Sequence, residues 1–315
     1  MGFDLYFAGT SYYKEIMEYA KEKKVCKLFT QMGERKVINN WCDDKRKGKI
    51  NNKIFIDSGA YTAHTQGKEV NVDEYISYIN GIDSDINLFA QVDKIPGRRG
   101  AIRTKEELLF APEESWKNYL YMREKVKSVE KLVPIFHQDE DFKWLKNMLE
   151  FKDENGKHIP YIGISSSKDK PLKYREAWYW KVFAIIQASS NPNVKTHSFG
   201  TSCIRHLELF PFTSSDATSW IKRAVFGGII TDFGTILVSG IQDKDKRHIN
   251  ACPISYKVLE EYVNKYGFSL EELIYDSEES KASIKRQCFN LAYLQNWADN
   301  YEYKGPKSFI RKGLF

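Results

Sequence analysis

Ile54-Phe55-Ile56-Asp57-Ser58-Gly59-Ala60-Tyr61 is the stretch from which the fold is read. Lys53 to Asp57, apolar at Ile54-Phe55-Ile56, reads as a short strand, an aspartate stands where the strand turns into a loop, and Gly59 permits a sharp turn with close approach of a ligand to backbone. Beyond it, Asp73 to Ile82 has apolar positions three and four apart, as in an amphipathic helix, and Ile86 to Val92 is again strand-like. Strand, crossover helix and strand in succession predict a parallel sheet.

The rhythm recurs on both sides. Phe3 to Ala8, Leu132 to Phe136, Ile159 to Ile164 and Val194 to Phe199 read as strands, and Tyr12 to Lys24, Pro112 to Val129 and Asp141 to Phe151 as helices. Two short runs, Thr213 to Asp216 and Phe226 to Ile230, bring the strand count near eight, with Cys26 to Phe29 as a further candidate. The first choice is an α/β fold of the TIM-like (β/α)8 barrel type, and the second an open doubly wound sheet. Beyond about Gly240 the sequence turns to charged helices, Ser255 to Lys265, Ser269 to Tyr275 and Ser280 to Ala298, without strands between them. The expected domains are therefore a barrel over 1–240 and a helical C-terminal appendage over 241–315.

Composition bounds the function. The 315 residues are 42% apolar, with charges of both signs and no apolar run of membrane-spanning length, so a soluble globular protein is expected. The residues after Met1 lack a basic region followed by an apolar stretch and cleavage site, which makes cytoplasm the default, and Gly2 reads as the approach to a strand rather than as a lipidation site. Five cysteines without C-x-x-C spacing suggest neither a disulfide framework nor a zinc knuckle. The net charge of +6 suits a polyanionic partner if it is concentrated on one face, and does not by itself identify one.

Three aspartates sit where strand gives way to loop: Asp57, Asp93 after Leu88-Phe89-Ala90-Gln91-Val92, and Asp216 in Thr213-Ser214-Ser215-Asp216. In a barrel such ends converge on one mouth. Singly, each reads as a helix cap or an Asx turn. Together they fit the cleavage of a glycosidic bond, where one carboxylate attacks the anomeric carbon and another handles protons. A third can accept hydrogen bonds from the N–H groups of a guanine edge.

At these residues the sequence resembles the tRNA-guanine transglycosylase superfamily, whose members exchange a guanine in nucleic acid for a 7-deazaguanine through a covalent intermediate. Asp57-Ser58-Gly59-Ala60-Tyr61 resembles the family's Asp-Ser-Gly-Gly-aromatic motif, with Ala60 in place of the second glycine. The resemblance implies that Asp57 handles protons, that Ser58 and Gly59 line the substrate pocket and that Tyr61 stacks on the base. It makes Asp93 the base-recognising aspartate, puts His137 and Gln138 near another base contact, and makes Tyr161-Ile162-Gly163-Ile164-Ser165 a strand and glycine turn, at Gly163, whose backbone reads the base edge. His197-Ser198-Phe199-Gly200-Thr201-Ser202 and the segment Leu209 to Trp220 are most similar to the phage and bacterial branch that inserts 7-deazaguanines into DNA, the DpdA family. There Asp216 matches the nucleophile, and His197 would face the base opposite Tyr61.

The likeness covers roughly Lys53 to Gly234. Classical tRNA enzymes carry a Cys-x-Cys-x-x-Cys plus His zinc site after the nucleophile, whereas this chain has only Cys252 and Cys288 there, so no metal is predicted, nor any other cofactor. That loss favours DNA over tRNA as the polymer. Arg98, Arg99, Lys222 and Arg223 are candidate phosphate contacts and equally readable as surface charge. The resemblance implies DNA and a free 7-deazaguanine base as partners, a phage-encoded or bacterial protein and no membrane; a homodimer is left open. The alternatives are a tRNA-directed transglycosylase, a non-catalytic nucleic-acid-binding subunit and an unrelated barrel hydrolase of N-glycosides.

Overall fold

The computed structural model describes residues 2–97, 104–167, 170–239 and 254–310. The chain is α/β, with a nine-stranded, barrel-like parallel sheet flanked by helices, as in a TIM-like barrel. The strands are β1 Asp4–Phe7, β2 Cys26–Thr30, β3 Ile54–Asp57, β4 Leu88–Ala90, β5 Leu132–Val133, β6 Ile135–His137, β7 Tyr161–Ser165, β8 Lys195–Phe199 and β9 Ser214–Ala217, followed by β10 Gly228–Thr231 and β11 Gly234–Leu237. The helices are α1 Lys14–Glu22, α2 Gln31–Arg46, α3 Ala60–Thr65, α4 Val72–Ile82, α5 Lys105–Lys125, α6 Phe142–Glu150, α7 Leu172–Ala188, α8 Ile204–Leu209, α9 Ser219–Val225, α10 Tyr256–Asn264, α11 Leu270–Ile274 and α12 Ala282–Asp299. None of the described helices is long and apolar enough to cross a membrane.

Two compact units make up the chain, and they are not consecutive stretches: Met1–Val25 with Ala217–Tyr301, and Cys26–Asp216 with Glu302–Phe315. In the second unit β2, β3, β4 and β5 pair in parallel in that order, as do β6, β7, β8 and β9. β5 and β6 are one strand interrupted at Pro134, which has no N–H to donate; its carbonyl still accepts from the Gly163 N–H at 2.7 Å. The sheet is therefore continuous from β2 to β9. Register sets the layers inside it. Phe55, His197 and Phe199 meet at ring separations of 4.5–5.7 Å. Asp57 lies two residues beyond Phe55 and Asp216 two beyond Ser214, the register partner of His197, so both carboxylates share the inward face one layer nearer the strand ends. On the other face Phe29 packs edge-on against Trp41 of α2 at 5.4 Å, tying strand to helix layer.

In the first unit the buried helix α12 is the organising element. Arg286 gives its guanidinium protons to the carbonyls of Ala224 and Leu273 at 2.8 and 2.7 Å. Asn290 accepts from the Ile230 N–H at 2.7 Å and donates to the carbonyls of Trp220 and Gly228. The C-terminal helical sequence is thus packed into a core with β1, α1 and α9.

Two expectations about elements change. Cys26–Thr30 is a sheet strand, whereas Phe226 to Ile230 is not the eighth barrel strand: β10 pairs antiparallel with β11 in a separate two-stranded hairpin, because Asp232-Phe233-Gly234 turns the chain straight back. α5 begins at Lys105 rather than near Pro112, fixed by a capping box between Thr104 and Glu107, and Pro112 is accommodated within the helix.

Candidate active site

Asp57 ends β3, and the next two residues decide how it is presented. Gly59 adopts φ 77°, a conformation a side chain disfavours, and a β-carbon there would also overlap Met32. The turn returns the Gly59 N–H to Asp57 Oδ2 at 3.0 Å and starts α3, leaving Tyr61 in its first turn 70% exposed. Ser58 is buried; its carbonyl accepts from the Gln31 amide at 3.0 Å and its hydroxyl from the Ala60 N–H at 3.4 Å.

Asp93 follows β4 in a loop held by side chains of α5: Asn118 donates to the Val92 carbonyl at 3.0 Å and Ser115 accepts the Lys94 N–H at 2.8 Å. Its Oδ2 lies 3.0 Å from Nε2 of His137, the last residue of β6. The backbone N–H of His137 donates to Glu140 at 3.1 Å, and burial with the nearby Asp93 charge pushes the Glu140 carboxyl up. Gln138 has its side-chain oxygen committed to the Ser167 N–H at 2.9 Å.

Asp216, in β9, has a nearly buried side chain. Its Oδ1 accepts the Gly200 N–H at 2.6 Å and lies 3.3 Å from His197 Nε2, while His197 Nδ1 lies 2.6 Å from Ser214 Oγ, itself 2.8 Å from the Tyr161 hydroxyl.

Asp57 feels the other two carboxylates. Burial, then Asp93 and Asp216 as neighbouring negative charges, push the Asp57 carboxyl from its ordinary 3.8 up to about 7, against the opposing hydrogen bond from Gly59. The fold therefore groups Asp57 with Asp93 and Asp216, Asp93 being hydrogen-bonded to His137 and Asp216 to His197. A carboxyl whose pKa lies near neutral pH can act as acid and as base, beside a second carboxylate in the same inward layer.

Two placements differ from the sequence reading. His197 does not face an open pocket: its side chain has no exposed surface, and Phe199, one inward position nearer the strand end, is the partly exposed aromatic. Gly163 is in the middle of β7, not in a turn; its N–H is used by Pro134, and a β-carbon there would overlap the Phe199 ring. Lys222 and Arg223 are exposed on α9, in the first compact unit, whereas the carboxylates belong to the second. Arg98, Arg99 and Cys252 lie outside the described residues. Ser214 and Gly200 were not singled out from sequence, although the i, i+2 spacing of Ser214 and Asp216 on a strand was the pattern that could have found the first.

The assembly defined by fold and site is a barrel-type α/β protein with three carboxylates grouped at its strand ends. Compared with family models and with curated proteins, the chain matches none.

Proposed function

We propose that the protein is a base-exchange transglycosylase that replaces guanine in DNA by a 7-deazaguanine, such as 7-cyano-7-deazaguanine. The observation that carries the reading is the grouping of Asp57, Asp93 and Asp216, with Asp57 raised to about 7 in part by the other two. In the first half-reaction Oδ2 of Asp216 forms a bond to C1′ of the target nucleotide as the C1′–N9 bond breaks, and the leaving guanine takes a proton from Asp57. In the second, the incoming base gives its N9 proton to Asp57, its nitrogen bonds to C1′ and the carboxylate of Asp216 departs. Two inversions retain configuration. Asp93, oriented by His137, accepts hydrogen bonds from the guanine-type edge, and the exposed Tyr61 ring offers a face for the base once it has left the helical stack.

The test is to incubate the protein with labelled 7-cyano-7-deazaguanine and, in parallel, guanine-containing DNA and tRNA. Label should enter DNA with the wild type and not with Asp216→Asn, and Asp93→Asn should weaken the preference for guanine-type over adenine-type bases. Label entering tRNA alone would move the substrate to RNA. Release of guanine without incorporation would make the protein an N-glycoside hydrolase.

A further inference from the structure

We infer that His197 is a positioning residue: a neutral imidazole with its proton on Nε2, which holds Oδ1 of Asp216 and leaves Oδ2 to attack. What Oδ2 attacks rests on the base-exchange reading; the tautomer rests on the hydrogen-bond geometry.

A carboxylate can only accept, so the proton shared between His197 Nε2 and Asp216 Oδ1, 3.3 Å apart, belongs to the ring. A neutral ring then has a bare Nδ1, which must accept, and its partner at 2.6 Å is the Ser214 hydroxyl. With its proton given to His197, the Ser214 oxygen can still accept from the Tyr161 hydroxyl at 2.8 Å. Every link is satisfied in one direction, from Tyr161 through Ser214 and His197 to Asp216. The opposite tautomer would set the Nε2 lone pair against a carboxylate oxygen. The imidazolium would put a charge on a side chain with no exposed surface, between the rings of Phe55 and Phe199. Burial also lowers the histidine's proton affinity more than Asp216 restores it.

The consequence falls on the carboxylate. Gly200 and His197 both bond to Oδ1, and among the described residues no hydrogen bond reaches Oδ2. One oxygen is fixed and partly neutralised; the other keeps its lone pairs in a set direction, as attack on C1′ requires. When Oδ2 becomes an ester oxygen, the donors on Oδ1 remain matched to the carbonyl that results, so no side chain need rotate between half-reactions.

Histidine-¹⁵N-labelled full-length protein tests this by long-range ¹H–¹⁵N correlation at pH 7, with His197 assigned by the loss of its signals in His197→Gln. The expected pattern is the neutral Nε2–H form, and in Ser214→Ala the Nδ1 resonance should move as its donor is removed. Kinetics give a second readout. Ser214→Ala and Tyr161→Phe should lower kcat with little change in KM for DNA. His197→Gln, whose amide can donate to Oδ1, should retain on the order of tenfold more activity than His197→Leu. An Nδ1–H ring or an imidazolium at pH 7, or equal activity of the Gln and Leu variants, would overturn the inference. Should the wild type exchange no base, the functional reading fails while the resonances still decide the role of His197.

Discussion

In the proposed exchange, a proton given to the leaving base and recovered from the incoming one needs a carrier whose pKa stands near the working pH, and desolvation together with two neighbouring carboxylates gives Asp57 such a pKa. The same shift has a stability cost of definite sign. The folded state binds the Asp57 proton more tightly than the unfolded chain, where the carboxyl titrates near its ordinary value. The favourable contribution is complete below about pH 4 and is lost as pH rises toward and through 7. Asp57→Asn keeps an oxygen for the Gly59 N–H and removes the charge. Denaturant unfolding should therefore find the variant more stable than wild type at pH 8, by on the order of 2–4 kcal/mol, with the gap closing toward pH 4. A gap of the opposite sign, or one independent of pH, would mean that Asp57 is not held as described. The variant should at the same time be inactive in base exchange.

Elements decide where these side chains stand. Tyr75 of α4 is wholly buried, and its hydroxyl lies 3.0 Å from the Ala90 carbonyl and 3.3 Å from that of Ile56, the residues closing β4 and preceding Asp57 in β3. One helix side chain therefore pins the two strand ends that carry Asp57 and Asp93. Tyr75→Phe should cost about 1–2 kcal/mol by thermal or chemical melting, since a buried hydrogen bond is lost without opening a cavity; no loss would show that the hydroxyl does not hold those strand ends. Such links explain what the sequence could and could not disclose. Strand-like run and aspartate lie close together in sequence, so Asp57, Asp93 and Asp216 were legible as strand-end carboxylates. The depth of His197 was not: alternation puts it on the same face as Phe199, but only the register with Gly163 and Ser214 reveals that it lies a layer below the end, under an aromatic ring. Gly163 was read for its backbone, whereas its lack of a side chain admits the Phe199 ring, a contact 36 residues away along the chain that no local pattern carries.

On the scale of the whole molecule, parallel α/β organisation followed from the alternation of strand and helix periods, while the pairing of sequence-distant segments did not. Residues beyond Gly240 read as an appendage because they lack strands, yet α12 lies in a buried core through polar side chains that composition cannot distinguish from surface ones. Asn290 serves one backbone N–H and two carbonyls of β10 and α9. Asn290→Ala should lower stability by about 2–4 kcal/mol, because several buried groups lose their partner at once; a variant as stable as the wild type would place α12 outside the core.

The central claim is that the carboxylate of Asp216 becomes covalently bonded to the nucleic acid during base exchange. The direct measurement is to stop the protein in mid-turnover on guanine-containing DNA with denaturant, digest it, and locate the attached nucleotide by mass spectrometry. The account predicts an adduct on the peptide carrying Asp216, absent when Asp216→Asn is used. An adduct on another residue, or base exchange sustained by Asp216→Asn, would contradict it.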